Sequence, residues 1–420
     1  MWAARPAPKA SAQHETSTPP PPPSCSNYSD ESTDIIYTSD DRYIAAGESR
    51  NIAANSLNSF TQPLQTLRSF PDGARNCYTL TPVLGNEAYL VRATFMHGDY
   101  DGSRSAGGGA QPLHFDLHID VNFCQTVNVT DASTAYAVEV IVIALADSVS
   151  VCLINTGSGT RFISVLELRP LKDSLYTFLN RTQNLVLIVR LNLGNTTNEV
   201  VRYPEDRFDR LWEPFVSWSE RLHFQPSLDF LTTNLTVTNN VDDQFEAPSA
   251  VMQTAAFPLN SNELEFYWDF EGSGASVNEF YANLLFSELV PNTKRAFNIY
   301  LNGRSLDNDY TPPYLVSNFS DNADHPLTPS PRYQWALNST NSSSLPPILN
   351  ALEVYTPMHL KNKLTYFADE PPLVLPKGDF ILTGEEVART FGLTSAVTSS
   401  MVESYGGLVG AVVWGEDMVR

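Results

Sequence analysis

The chain is predicted to be all-β, with two β-sandwiches in tandem. Three observations carry this. Phe115-Asp116-Leu117-His118-Ile119-Asp120 recurs without a gap as Phe297-Asn298-Ile299-Tyr300-Leu301-Asn302. Each copy has the same neighbours in the same order: a strand upstream (residues 89–95 or 280–286) and Leu166-Glu167-Leu168 or Leu352-Glu353-Val354 downstream. Apolar residues elsewhere alternate in short segments divided by small-residue turns, without sustained helical periodicity. A repeated order with unequal loops marks a duplicated unit.

Residues 89–95, Tyr89-Leu90-Val91-Arg92-Ala93-Thr94-Phe95, open the first unit's repeated set. Residues 113–123 alternate, with Leu113, Phe115, Leu117, Ile119, Val121 and Phe123 on one face and His114, Asp116, His118, Asp120 and Asn122 on the other. That pattern predicts one strand with a buried and a wet face. Residues 139–145 and 149–155 flank the turn Ala146-Asp147-Ser148, and Gly157-Ser158-Gly159 precedes a strand over 162–168. A strand at 185–193, rich in Val, Leu and Ile, closes the unit. The second unit opens with Arg202-Tyr203-Pro204-Glu205-Asp206 and Asp209-Arg210-Leu211-Trp212, points Phe297, Ile299 and Leu301 inward, and ends its last strand near Thr356-Pro357. The expected division is a Pro-rich, unstructured 1–24, domains at 25–198 and 199–370, and an unassigned 371–420 with a helix-like stretch at 384–391.

With 26 basic and 47 acidic residues, the net charge is −21. Such a surface repels phosphate backbones and anionic headgroups, and favours cationic or neutral ligands. Arg161, Arg169, Lys172 and Arg181 are a candidate basic patch against that trend. Cys25, Cys77, Cys124 and Cys152 lack metal or redox spacing, and leave open reduced core thiols or one or two disulfides. Eight N-x-[S/T] sequons, at Asn27, Asn128, Asn180, Asn195, Asn234, Asn318, Asn338 and Asn341, exceed the roughly five expected from composition and lean towards a secreted glycoprotein. No signal peptide is visible, and residues 407–414 are too short an apolar run to span a membrane.

Several phrases are recognisable together: Arg68-Ser69-Phe70-Pro71-Asp72-Gly73-Ala74-Arg75-Asn76-Cys77-Tyr78, Cys152-Leu153-Ile154-Asn155-Thr156-Gly157-Ser158-Gly159, Leu166-Glu167-Leu168-Arg169-Pro170-Leu171, and the opening of the second unit. Over about residues 25–358 the chain resembles the malectin-like extracellular region of plant receptor-like kinases that carry leucine-rich repeats. The resemblance implies two malectin-type sandwiches of jelly-roll type, outside the cell or at the plasma membrane, that bind a glycan or peptide with a co-receptor. It departs where the usual opening strand gives way to the Pro-rich stretch, and where repeats, span and kinase are absent. A truncated receptor, a secreted decoy and a mis-ended gene model all fit that pattern.

The resemblance places the ligand contact on the loop after the first repeated strand. Tyr100 is the candidate for stacking on a sugar ring, with Tyr89 second. Asp99 and Asp101 would accept from hydroxyls, and Asn155 joins the set from its own turn. The second unit has no aromatic in the corresponding loop. His114, Asp116, His118 and Asp120 share a strand face on which two neighbours could share an ion but four in one row could not, and Asp99-Tyr100-Asp101-Gly102 lacks the rest of a calcium loop. No cofactor is expected. No nucleophile elbow, zinc helix or phosphate loop occurs, so the chain is read as non-catalytic. Two other readings stay open: a stand-alone carbohydrate-binding module and an intracellular interaction protein.

Overall fold

The computed structural model describes residues 2–4, 27–53, 60–104, 113–197, 199–218, 222–269, 279–323 and 332–361. The expectations for Cys25, most of 1–24 and the 371–420 tail with its helix-like stretch lie outside these residues.

Among the described residues, a twelve-stranded sheet runs through both halves of the chain. Its spatial order is Thr238–Asn239, Val316–Asp321, Tyr281–Phe286, Ala351–His359, Gln183–Asn192, Ala135–Ile143, Ala88–Met96, Val165–Pro170, Trp2–Ala4, Ile36–Thr38 and Tyr28–Ser29, with Glu213–Pro214 added beside Gln183–Asn192. The halves meet where Gln183–Asn192 pairs antiparallel with Ala351–His359. Each half lays a smaller sheet over one face. The first uses Arg75–Leu80, Val149–Ser158, Leu113–Ile119 and Asn122–Val129; the second uses His223–Gln225, Glu263–Asp269, Arg332–Ser339, Phe297–Leu301 and Arg304–Tyr310. The two copies of the repeated hexapeptide therefore hold equivalent positions, each flanked by a long partner strand and a hairpin partner.

Each sandwich has its own core. Phe95, Phe115, Leu117, Val151 and Phe162 fill the first, and Phe266, Phe286, Phe297, Ile299 and Trp335 the second. A third cluster, with Leu90, Ile141, Trp212, Phe245, Leu285 and Tyr355, covers the opposite face of the shared sheet. Adjacent residues of one strand thus enter different cores: Val91 packs in the first and Leu90 in the third. This is the strand alternation expected when both faces of a sheet are buried.

Across that covered face runs a row of alternating charge. Arg92 bonds Glu139 (2.6 Å) on one side and Glu167 (2.9 Å) on the other, and Arg190 bonds Glu139 (2.6 Å) and Glu353 (2.7 Å). Residues 202–212 close over the row. Asp209 receives Arg169 (2.7 Å) and Arg202 (2.9 Å), and Asp206 accepts from Arg210 (2.8 Å) and the Trp212 indole (2.7 Å). Burial alone would raise the Glu139 and Glu167 pKa values. The guanidinium groups, Arg92 foremost, outweigh it and hold both below their ordinary value. A buried carboxylate is tolerated only when paired and bonded in this way.

Three expectations are corrected, and one open alternative is settled in part. Residues 113–123 are not one strand: Leu113–Ile119 ends at Asp120, whose φ is 52°, and a hairpin returns as Asn122–Val129. The turn reverses the facing, so Asn122 is buried opposite Ile119 while Phe123 is 51% exposed. Trp2–Ala4, expected without structure, forms a strand between Val165–Pro170 and Ile36–Thr38, where sheet edges offer it backbone partners. The four basic residues form no patch. Arg161 is buried against the carbonyls of Phe70, Asp72 and Gly73, Arg169 joins the charged row, Lys172 pairs with Glu246, and Arg181 bonds Asn86. The cysteine alternatives resolve in part: Cys77 and Cys152, directly opposed in register, form a disulfide, and Cys124 is a free thiol.

Candidate functional site

The Ala88–Met96 strand delivers its chain to one end of the first sandwich, where residues 97–104 form a tightly bonded loop. Gly98 has φ +55°, and a Cβ there would lie 2.3 Å from the Ile52 side chain, so only glycine fits. Its N–H reaches the Ala132 carbonyl (2.8 Å), and its own carbonyl accepts from Ala53 (2.7 Å). Asp99, also at positive φ (50°), accepts the Arg104 N–H (2.8 Å), while Asp101 accepts that of Ser103 (3.0 Å). The loop is therefore held from within and from two neighbouring segments.

Tyr100 is half-buried at the rim. Its ring lies 4.9 Å from that of His97 and 6.1 Å from that of Phe162, and its hydroxyl is 3.2 Å from Ser69 Oγ. Burial raises its pKa. One side of the ring is thus anchored on the core, which fixes the orientation of the remainder. Tyr89 is a different case. It is buried in the first core and its hydroxyl accepts the Leu84 N–H (2.8 Å), so burial removes it from the ligand-contact set. Asn155 is exposed where the ladder of Val149–Ser158 shifts register, and its Oδ1 accepts the Gly157 N–H (2.8 Å).

His97 is the residue that sequence reasoning missed. It is buried, its Nδ1 accepts the Asp99 N–H (3.1 Å), and its Nε2 faces Asp101 at 3.8 Å. Burial lowers its pKa, against the opposing pull of Asp101. One donor atom from each of His97, Asp99 and Asp101 lies within 4.8 Å of the others, the only grouping of metal-ligand type among the described residues. These same groups are already used in the loop's own turns, so the cluster reads first as loop scaffolding. The available signal was its position directly before Gly98-Asp99-Tyr100-Asp101-Gly102.

The equivalent loop of the second half is closed. Glu288 stands where His97 does, accepts the N–H groups of Leu289 (3.1 Å) and Val290 (2.9 Å), and binds Arg295 (2.7 Å) in a buried pair. Arg295 also donates to the Pro346 carbonyl. The first half therefore offers an aromatic ring and two carboxylates at its rim, while the second offers a neutralised, buried ion pair.

Comparison with known proteins bears on the family and the fold. Residues 22–357 match the malectin-like domain. The Arabidopsis thaliana LRR receptor-like serine/threonine-protein kinase IOS1 is 34% identical over 336 residues, 79% of this chain and 35% of that protein. A probable LRR receptor-like serine/threonine-protein kinase of the same plant is 32% identical over 377 residues, 88% of this chain and 39% of its own length. The chain thus spans little more than a third of these relatives. Among solved structures, the ANX2 ectodomain from Arabidopsis thaliana superposes with a TM-score of 0.61 at 17% identity, covering 79% of this chain and 94% of that one. The plant FER receptor-like kinase in complex with the peptide RALF23 and LLG2 gives 0.57 at 16% identity over 75% and 89%. At those identities the likeness is one of fold. On the family match across most of its length, the chain belongs to the malectin-like domain family.

Proposed function

We propose that this chain is the extracellular, non-catalytic recognition region of a plant receptor-like kinase, or derives from one, and that it binds its ligand at the loop end of the first sandwich. The observation that carries the reading is the contrast between the two equivalent loops. Tyr100, Asp99 and Asp101 stand at an open rim in the first half, whereas Glu288 and Arg295 neutralise each other in the second. Relatives that are receptor kinases, and a similarly folded ectodomain solved with a peptide and a further protein, support a peptide ligand and a co-receptor. A half-buried tyrosine beside carboxylates equally suits a neutral sugar, with the ring on its apolar face and the carboxylates accepting from hydroxyls. The net charge of −21 disfavours a polyanion.

Titration calorimetry of the purified protein with a basic peptide, a neutral oligosaccharide and an oligogalacturonide, at low and high salt, tests this. Binding of the first or second, weakened by Tyr100→Ala, is expected. Tight, salt-sensitive binding of the oligogalacturonide, or binding indifferent to Tyr100, would overturn the assignment.

A further inference from the structure

Open sheet edges need protection, because a row of unpaired N–H and C=O groups will pair with any other strand. Most edges here carry a recognisable device. Glu48–Asn51 has Glu48 and Arg50, Arg75–Leu80 has Arg75, and Arg304–Tyr310 has Arg304, Asp307 and Asp309. Thr238–Asn239, Tyr28–Ser29 and His223–Gln225 are only two or three residues long. Asn122–Val129 is the exception. It is eight residues long, pairs only with Leu113–Ile119 among the described residues, and reads Asn-Phe-Cys-Gln-Thr-Val-Asn-Val, with neither charge nor proline. That composition is of the kind that pairs edge to edge.

This unprotected strand contains a sequon, Asn128-Val129-Thr130. Asn128 points outward between the buried Val127 and Val129, and its amide has no hydrogen-bond partner among the described residues. Two other sequon asparagines are engaged. Asn180 and Asn195 accept both the N–H and the hydroxyl of Thr182 and Thr197, at 2.7 to 2.9 Å. We infer that Asn128 carries an N-linked glycan, and that this glycan closes the free edge of the first outer sheet as a charged residue does on the other edges. A glycan is bulky and fully hydrated, so one attached near the end of the strand sweeps the space that an incoming strand would occupy. The inference rests on the extracellular reading above.

The test uses the chain secreted from plant cells behind a heterologous signal peptide, with occupancy of each sequon read by mass spectrometry and mass in solution by light scattering. Asn128 is expected to be occupied and the protein monomeric. Asn128→Gln should at least double the mass in a concentration-dependent way. Asn128→Lys, which restores a charge in place of the glycan, should remain monomeric, as should Asn341→Gln, which removes an exposed sequon elsewhere. Glycans on other sequons with Asn128 bare would overturn this inference alone, whereas no glycan on any sequon would overturn the extracellular reading with it. A monomeric Asn128→Gln, an associating Asn128→Lys or an equally associating Asn341→Gln would each refute the edge role.

Discussion

Asp120 and Asn302 do the same work in the two halves of the chain. Each ends a repeated strand at positive φ, 52° and 48°. Each donates its N–H to a carbonyl of the neighbouring long strand, Ser150 or Gln334, at 2.8 Å. Each takes back the N–H of that same residue on its side-chain Oδ1, at 3.0 and 2.8 Å. A short acidic or amide side chain meets both demands, since it tolerates the left-handed region and bonds locally.

Asp120→Asn should therefore preserve the turn, and Asp120→Ala should not. Burial raises the Asp120 pKa, so its carboxyl favours the folded state below the ordinary carboxylate range, and that contribution is lost as pH rises through the raised value. The asparagine variant is expected to match or exceed the parent at pH 7 and to lose that advantage near pH 4. The alanine variant, which leaves the Ser150 N–H without its acceptor, should cost about 1–3 kcal/mol. Urea midpoints at the two pH values decide both points.

In the charged row, Arg92 is opposed to Glu167 in register, and the equivalent pair in the second half is Asn283 and Glu353. Writing the second half's residue into the first, as Arg92→Asn, leaves Glu139 and Glu167 short of their shared cation. A loss of about 3–5 kcal/mol is expected, since an uncompensated buried charge remains. Thermal unfolding measures it, and a change below about 1 kcal/mol would show that the row is not a structural element.

Asp209 gives that row a pH signature. Burial would raise its pKa, but Arg92, Arg202 and Arg169 outweigh burial and hold the carboxyl far below the usual range. Its stabilisation is therefore present above the ordinary carboxylate pKa and is lost as pH falls towards the depressed value. Melting temperatures should fall steadily below about pH 4. Asp209→Asn should start lower and vary less over the same interval.

Burial pushes the Cys124 thiol up to about 12. The thiolate is the reactive form, so iodoacetamide at pH 8 should leave Cys124 unlabelled in the folded protein and modify it only after denaturation. Peptide mass spectrometry resolves this position from Cys25. Rapid labelling of the native protein at Cys124 would contradict its placement.

The two tyrosines of the loop end should separate cleanly. Tyr89→Phe strands the Leu84 N–H and should cost about 1 kcal/mol of stability while leaving ligand binding unchanged. Tyr100→Ala is expected to weaken binding about tenfold, and Tyr100→Phe, which keeps the ring, much less. Parallel melting and calorimetry on the three variants provide the comparison.

The repeat was legible because the alternation of Phe115, Leu117 and Ile119 is local, whereas the hairpin turn at Asp120 was not, since Val121 and Phe123 continue the same apolar alternation past it. The charged row was not. Glu167 sits between Leu166 and Leu168, and Glu353 between Leu352 and Val354, where period two reads a charged residue as a wet face. Their partners Arg92 and Arg190 lie 75 and 163 positions away, and the cover over them comes from residues 202–212. Tyr89 misled for a related reason, because the turn that buries its hydroxyl folds back from residues 81–87. The loop residues Asp99, Tyr100 and Asp101 were proposed from a resemblance, and the one local sign of His97 was its place directly before that loop, with nothing in the pattern to show it buried beneath.

The last described residue, Lys361, donates its N–H to Asn122 Oδ1 (2.8 Å), at the start of the Asn122–Val129 strand. The Tyr100 loop is tied to the segment just beyond that strand's other end, through Gly98 and Ala132. An eight-residue strand is roughly 25 Å long, so the Tyr100 loop and Lys361 lie at opposite poles of one sandwich. A molecule seated at the Tyr100 loop would lie about a strand's length from Lys361, and direct touch between them would have no part in its effect.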